Sequence, residues 1–208
     1  MRFACIFSNA AYMGFPLIEA LFGAEGLIYA SVYVTVFNIL LWTVGFGMIT
    51  GTVEPKEVVR TVCTNPVLIA VVIGLVIYLC QIPVPEVIEQ PLALIGNMNT
   101  PLSMIITGMM IAGSNLAQML CDRRILSVMG IRMLLIPAVC FALFFACGFS
   151  GMAAGVVLLL EACPSAAITS VFAVQYSYDE EFAAGSVVIT TLLSIVILPV
   201  CAMLLPGM

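Results

Sequence analysis

Histidine is absent from the 208 residues, and charged side chains make up only 8% of them. The first absence removes the usual neutral-pH proton relay and the commonest metal ligand. The second excludes a soluble domain, whose surface needs about a quarter of all residues charged. The eight cysteines, at 5, 63, 80, 121, 140, 147, 163 and 201, form no CxxC pair and sit mostly in apolar runs. Neither a disulfide framework nor a zinc site is expected from them, and no cofactor is expected. Basic residues are scarce as well: net charge is −5, and no cluster exceeds Arg123-Arg124. That balance excludes nucleic acid as a partner. No nucleophile–base pair or metal cluster is visible, which argues against an enzyme.

What is present is apolar: 63% of the residues are hydrophobic. The lipid bilayer is therefore the first partner, and the chain reads as an all-α, polytopic membrane protein. Residues 1–22 do not fit a cleaved leader, because Pro16 and Glu19 interrupt the apolar run. Seven stretches meet the span length of roughly 20 residues. They cover about 3–22, 27–49, 66–82, 92–117, 125–149, a run centred on 158–176, and 182–205.

The stretch Leu158–Tyr176, LLLEACPSAAITSVFAVQY, holds Glu161 and Pro164 near mid-depth. Proline removes a donor and clashes with the preceding turn, so the helix must bend or break. Backbone freed in hydrocarbon must be satisfied by protein or by a water-lined cavity. Two readings are open: a broken helix whose second half starts near Ser165, or a kinked span with Glu161 bonded to a neighbour. The first stretch, FACIFSNAAYMGFPLIEALF, gathers Asn9, Gly14 and Pro16 near its centre and carries the same pair of readings. The fourth is unusually polar, with Asn97, Asn99, Thr100, Ser103, Thr107, Ser114 and Asn115. Those side chains are expected to face other helices or water. Arg132, near the second turn of the fifth stretch, is expected to snorkel to the interface.

Lys56, Arg60, Arg123 and Arg124 follow the second and fourth stretches, and Arg2 precedes the first. All fall on one side if all seven cross. The positive-inside rule makes that side cytoplasmic, with the N-terminus there and Met208 outside, in a cell-membrane protein. Pro16 with Glu25 and Asn38 is echoed by Pro164 with Glu180 and Ser194 in an oppositely directed stretch. Such an inverted relationship, with two breaks, suggests a site where the repeats cross.

These residues carry a resemblance. FSNAAYMGFPLIEALFG, continuing into FNILLWTVG, resembles the fourth and fifth helices of the auxin efflux carrier family of membrane transporters. LLLEACPSAAITSVFAVQYSYDEEFAAGSVVITTLLSIVILP resembles its last two, with P-x-A, Y-x-x-D and S-x-x-x-L-P elements. The Arg132 and Pro137 pattern is similar too. The resemblance implies an inverted-repeat transporter fold with two broken crossover helices, crossing at Pro16 and Pro164. It implies that the first three of ten helices are missing here, and the short linker is like that of the compact bacterial members. Residues 1–51 would be the first part of the transport domain, 52–64 a cytoplasmic linker, 65–117 scaffold helices, and 118–208 the second part of the transport domain.

The function implied is secondary transport, as efflux, of a small organic anion such as an auxin-like compound or a mono- or dicarboxylate. Asn9 matches the asparagine of the family's first crossover. The substrate shell is expected at Asn9, Pro16, Leu17, Ile18, Pro164, Ser165, Ala166 and Ala167, where half-helix N–H groups attract an anion. Glu161 and Gln175 stand behind it as coupling or supporting groups, with protons as a further partner and a second copy of the chain as a candidate one. Glu161 is read either as a proton-coupling group or as a structural one. Two other functions stay open: a non-transporting fragment of such a carrier, and a sodium-coupled symporter of the bile-acid type, for which Glu161, Gln175 and Asn9 are a thin supply of oxygen ligands.

Overall fold

The computed structural model describes residues 1–51, 60, 63–64 and 66–204. Most of the 52–64 linker, with Lys56, and the C-terminal Met208 lie outside the described residues, and with them part of the sidedness expectation. The described chain is helical, with no β-sheet among these residues. It opens with α1 (Arg2–Ile6), a π turn (Ala10–Gly14), α2 (Phe15–Leu40), a second π turn (Leu41–Gly45) and α3 (Phe46–Thr50). Next come α4 (Pro66–Leu79), α5 (Glu86–Asn97), α6 (Asn99–Ala112), α7 (Leu116–Cys121) and α8 (Arg123–Gly130). A third π turn (Ile131–Leu135) leads to α9 (Ile136–Cys147), followed by α10 (Met152–Glu161), α11 (Ile168–Gln175) and α12 (Glu180–Leu204).

Four helical runs among the described residues are long and apolar enough to span a membrane: Ala10–Thr50, Glu86–Ala112, Arg123–Cys147 and Glu180–Leu204. The seven expected stretches map onto these helices, α1 to α12. The first two are separate helices: at Gly23, φ of 63° and ψ of −155° break the helix in a conformation that suits glycine and strains any other residue, and Phe37 beyond it returns to pack on Phe7. In the third, the described residues form the helix Pro66–Leu79, 14 residues or about 21 Å long. The sixth is divided into a ten-residue and an eight-residue helix on either side of Pro164.

Helix starts follow local chemistry. The Asp122 carboxylate accepts from the Arg124 N–H at 2.8 Å to cap α8, and Asp179 accepts from the Phe182 N–H at 3.0 Å to start α12. Pro16 sits at the start of α2 and Pro137 at the start of α9, each directly after a π turn. The wider π turn takes up the ring and the missing donor, so both prolines continue a helix without breaking it.

Three packed clusters hold α1, α2 and α3 against α8, α10, α11 and α12. Between lipid-exposed helices this packing is van der Waals in origin, since the bilayer is as apolar as leucine. Small residues permit the closest approaches: Gly14 lies against Leu160 and Cys163, and Gly45 against the ring of Phe7. In contrast, no residue of α5 is buried, and α4, α5 and α6 touch the remainder mainly along α2, the first π turn and α12.

Candidate functional site

Two stretches of non-helical backbone meet in the packed part of the molecule. One is Phe7–Asn9, between α1 and the first π turn; the other is Ala162–Ala167, between α10 and α11. Ser8 and Ser165 pair across them as an isolated antiparallel bridge. The Asn9 N–H donates to the Pro164 carbonyl at 2.8 Å, and the Ala166 N–H donates to the Phe7 carbonyl at 2.9 Å. The Ser165 hydroxyl donates to the Ala4 carbonyl at 2.8 Å, while its N–H donates to Thr190 Oγ1 at 3.1 Å. Thr190 passes its own proton to the Ser186 carbonyl at 2.7 Å. Each freed backbone group named here is thus satisfied by protein, as a low-dielectric interior requires.

The carbonyl ends of α1 and α10 converge on Arg132, which is fully buried. Its Nε donates to the Cys163 carbonyl at 3.1 Å, and Nη1 donates to the Cys5 and Ile6 carbonyls at 3.3 Å each. Nη2 donates to the Glu161 carbonyl at 2.8 Å and to Glu161 Oε2 at 3.4 Å. The expectation that Arg132 snorkels is overturned. It lies nine residues beyond Arg123, about 13 Å along the helix, and two broken helix ends offer it more acceptors than the interface would. The other Glu161 oxygen, Oε1, accepts from the Tyr33 hydroxyl at 2.6 Å, with the Ser8 side chain beside that hydroxyl. Tyr33 therefore ties α2 to the end of α10.

The residues read from the sequence divide at this junction. Asn9, Pro164, Ser165 and Ala166 are buried in it, and Ala167 is half-buried as the residue that starts α11. Asn9 precedes the π turn, and its carboxamide caps no helix N–H. Glu161, with its side chain 28% exposed, ends α10 beside the junction. Two expectations are corrected. The first interruption falls at Phe7–Asn9, not before Pro16, so Leu17 and Ile18 lie inside α2 and their N–H groups face the preceding turn. The Ala166 N–H is already engaged by Phe7. The N–H groups with no intrahelical acceptor are those of the first turns, at Ala10–Tyr12 and at Ala167 and Ile168. Gln175, the last residue of α11, is exposed and is not gathered in with the others. Tyr33 and Thr190 carried no signal in the sequence, and Arg132 was expected at the interface and not at this junction. A charge nine residues into an apolar run was the one signal available for Arg132.

At the ends of the spans, Arg124 bridges Asp122 at 2.9 Å and Asp179 at 2.8 Å. The Phe182 N–H, and after it the Arg124 guanidinium, hold the Asp179 carboxyl below its ordinary range. Tyr178 donates to the Ile49 carbonyl at 2.6 Å, joining the end of α3 to the turn before α12. Arg2, Arg124 and Asp179 line one depression, so these charged residues occupy one end of the molecule. Among the described residues, no group of three or more Cys, Asp or Glu could hold a metal ion.

Comparison with known proteins adds a family. The chain is 26% identical over 204 residues to an uncharacterized transporter of Methanothermobacter thermautotrophicus, covering 97% of this chain and 66% of that protein. It is 25% identical over 195 residues to an uncharacterized transporter of Methanocaldococcus jannaschii, covering 91% of this chain and 63% of that protein. The chain thus spans about two thirds of the length of these archaeal relatives. The family model described as "Membrane transport protein" matches residues 1–62 and 55–202. Matched along nearly its whole length, the chain belongs to the membrane transport protein family.

Proposed function

We propose that the Ser8–Ser165 junction is the crossover of an inverted-repeat secondary carrier, and that it binds a small organic anion, a mono- or dicarboxylate or an auxin-like acid. Residues 1–51 and 118–208 form the transport domain and 65–117 the scaffold, between which alternating access operates. The observation that carries this reading is the sorting of helix ends. Two interrupted helices meet with their carbonyl ends neutralised by Arg132, which leaves the first-turn N–H groups after Asn9 and Ala167 to favour negative charge. Asn9 supplies a side-chain donor at the same place, and Pro164 and Ser165 fix the backbone that presents it. A half-helix N-terminus at mid-membrane is a recurrent way to hold an anion without a fixed positive charge. The basic residues Arg2, Arg123 and Arg124 face the cytoplasm.

Glu161 is the coupling group in this reading. It is partly exposed beside the junction and bonded to both Arg132 and Tyr33, so a proton there changes what both donors hold. The test is binding of indole-3-acetate, malate and malonate in lipid vesicles across a pH series. Asn9→Ala weakens binding by about 1–3 kcal/mol, the cost of a buried donor lost. Glu161→Gln leaves binding largely intact and removes its pH dependence. Unchanged affinity in Asn9→Ala for every ligand removes Asn9 from the site, and a retained pH dependence in Glu161→Gln assigns that residue to structure alone.

A further inference from the structure

We propose that Arg132 is the positioning residue of the junction. Its guanidinium clamps the carbonyl ends of both interrupted helices and cancels the charge of Glu161, so only N–H ends present charge to a ligand. The second clause rests on the anion site proposed above; the first stands on geometry alone. A guanidinium carries five N–H donors and no acceptor. Arg132 meets five acceptors: the carbonyls of Cys5 and Ile6 from α1, those of Glu161 and Cys163 from α10 and its exit, and Glu161 Oε2. Four of the five are backbone atoms, two from each interrupted stretch.

That distribution separates a clamp from an ordinary ion pair. The carboxylate contact, at 3.4 Å, is the longest of the five. The carbonyl ends of two helices carry about half a negative charge each, and α1 and α10 direct theirs to one place. Without a buried cation those ends and the Glu161 carboxylate would repel one another, and an anion as well. Arg132 is the one charged residue that is fully buried among the described residues, and the π turn Ile131–Leu135 is where α8 widens to place it. Lysine offers three donors on a point charge and cannot span both helix ends.

Crosslinking tests the clamp without any ligand. The bonds flanking Ser8 and Ser165 make them a non-hydrogen-bonded antiparallel pair, with Cα atoms about 4.5 Å apart. That separation lies within disulfide reach. In the full chain, in membranes and with the native cysteines replaced, Ser8→Cys with Ser165→Cys is expected to oxidise rapidly. Adding Arg132→Gln slows that oxidation by about tenfold or more, the scale of one lost charge-assisted bond. Arg132→Lys is intermediate, and Glu161→Gln, which keeps four of the five contacts, stays near the parent rate. Parent-rate crosslinking in Arg132→Gln overturns the clamp. Where that variant does not fold, Arg132→Lys decides, and the parent rate there overturns it equally. Malonate binding tests the charge clause: Arg132→Gln combined with Glu161→Gln binds more tightly than Arg132→Gln alone. Equal or weaker binding by the double variant overturns that clause. A parent that binds no malonate defeats the anion reading and leaves the crosslinking result to stand or fall separately.

Discussion

At the scale of single residues, Tyr33 and Glu161 show how much one short bond fixes in a low-dielectric interior. The 2.6 Å contact joins residues 128 positions apart and gives the carboxylate a donor independent of Arg132. Tyr33→Phe removes that donor and keeps the ring, which stacks on Phe37 at 6.2 Å. The expected loss is about 1–3 kcal/mol of stability, read from the unfolding midpoint in detergent. Tyr29→Phe is the control, since Tyr29 is exposed; equal shifts in the two variants would contradict the role given to Tyr33. A second prediction at this scale concerns pH. The Asp179 carboxyl is held low in the folded state, so its contribution is present above the unfolded value, about 4. It is lost as pH falls through the folded value. Hydrogen exchange at Phe182 and Ala183 is therefore expected to quicken below about pH 4 in the parent, and Asp179→Asn removes that pH step. No step in the parent would mean that the cap and the Arg124 bridge do not hold the turn.

Among the elements, the interruptions decide the architecture, and their positions were only half legible. Pro164 disclosed its break, because the ring falls where α10 must end and no π turn precedes it. Pro16 misled, because the chain widens into a π turn at Ala10–Gly14 and carries the proline inside the run. The true break at Phe7–Asn9 has no proline of its own. It is made by tertiary bonds to Pro164 and Ala166, a partner 150 or more residues away that local pattern does not announce. Arg132 escaped for the same reason: its five acceptors exist only once both interrupted helices have met. Gly45 tests the packing that supports the Phe7 break. A methyl there would lie 2.8 Å from the Phe7 ring, whereas one at Gly74 meets nothing within 4 Å. Gly45→Ala is expected to destabilise by about 1–3 kcal/mol through overpacking. Gly74→Ala is expected to be neutral or slightly stabilising on helix propensity. Comparable unfolding midpoints for the two variants would show that Phe7 adapts without strain.

For the molecule as a whole, composition made the membrane class plain, and Arg2 and Arg124 line one depression. The division of labour between parts was less legible. Among the described residues, 1–51 and 118–204 supply the buried core, while no described side chain of α4 to α6 is buried. An apolar face reads the same in sequence whether lipid or protein covers it, so composition could not separate these helices from those of the core. The account joins both levels at one place, the Ser8–Ser165 junction, and hydrogen exchange read by mass spectrometry with and without malonate or indole-3-acetate addresses it directly. The account predicts slower exchange on ligand addition at residues 10–12 and 167–168, where first-turn N–H groups face the site, with little change in α4 to α6. Saturable binding that leaves those residues unprotected, or that protects a different part of the chain, would contradict it.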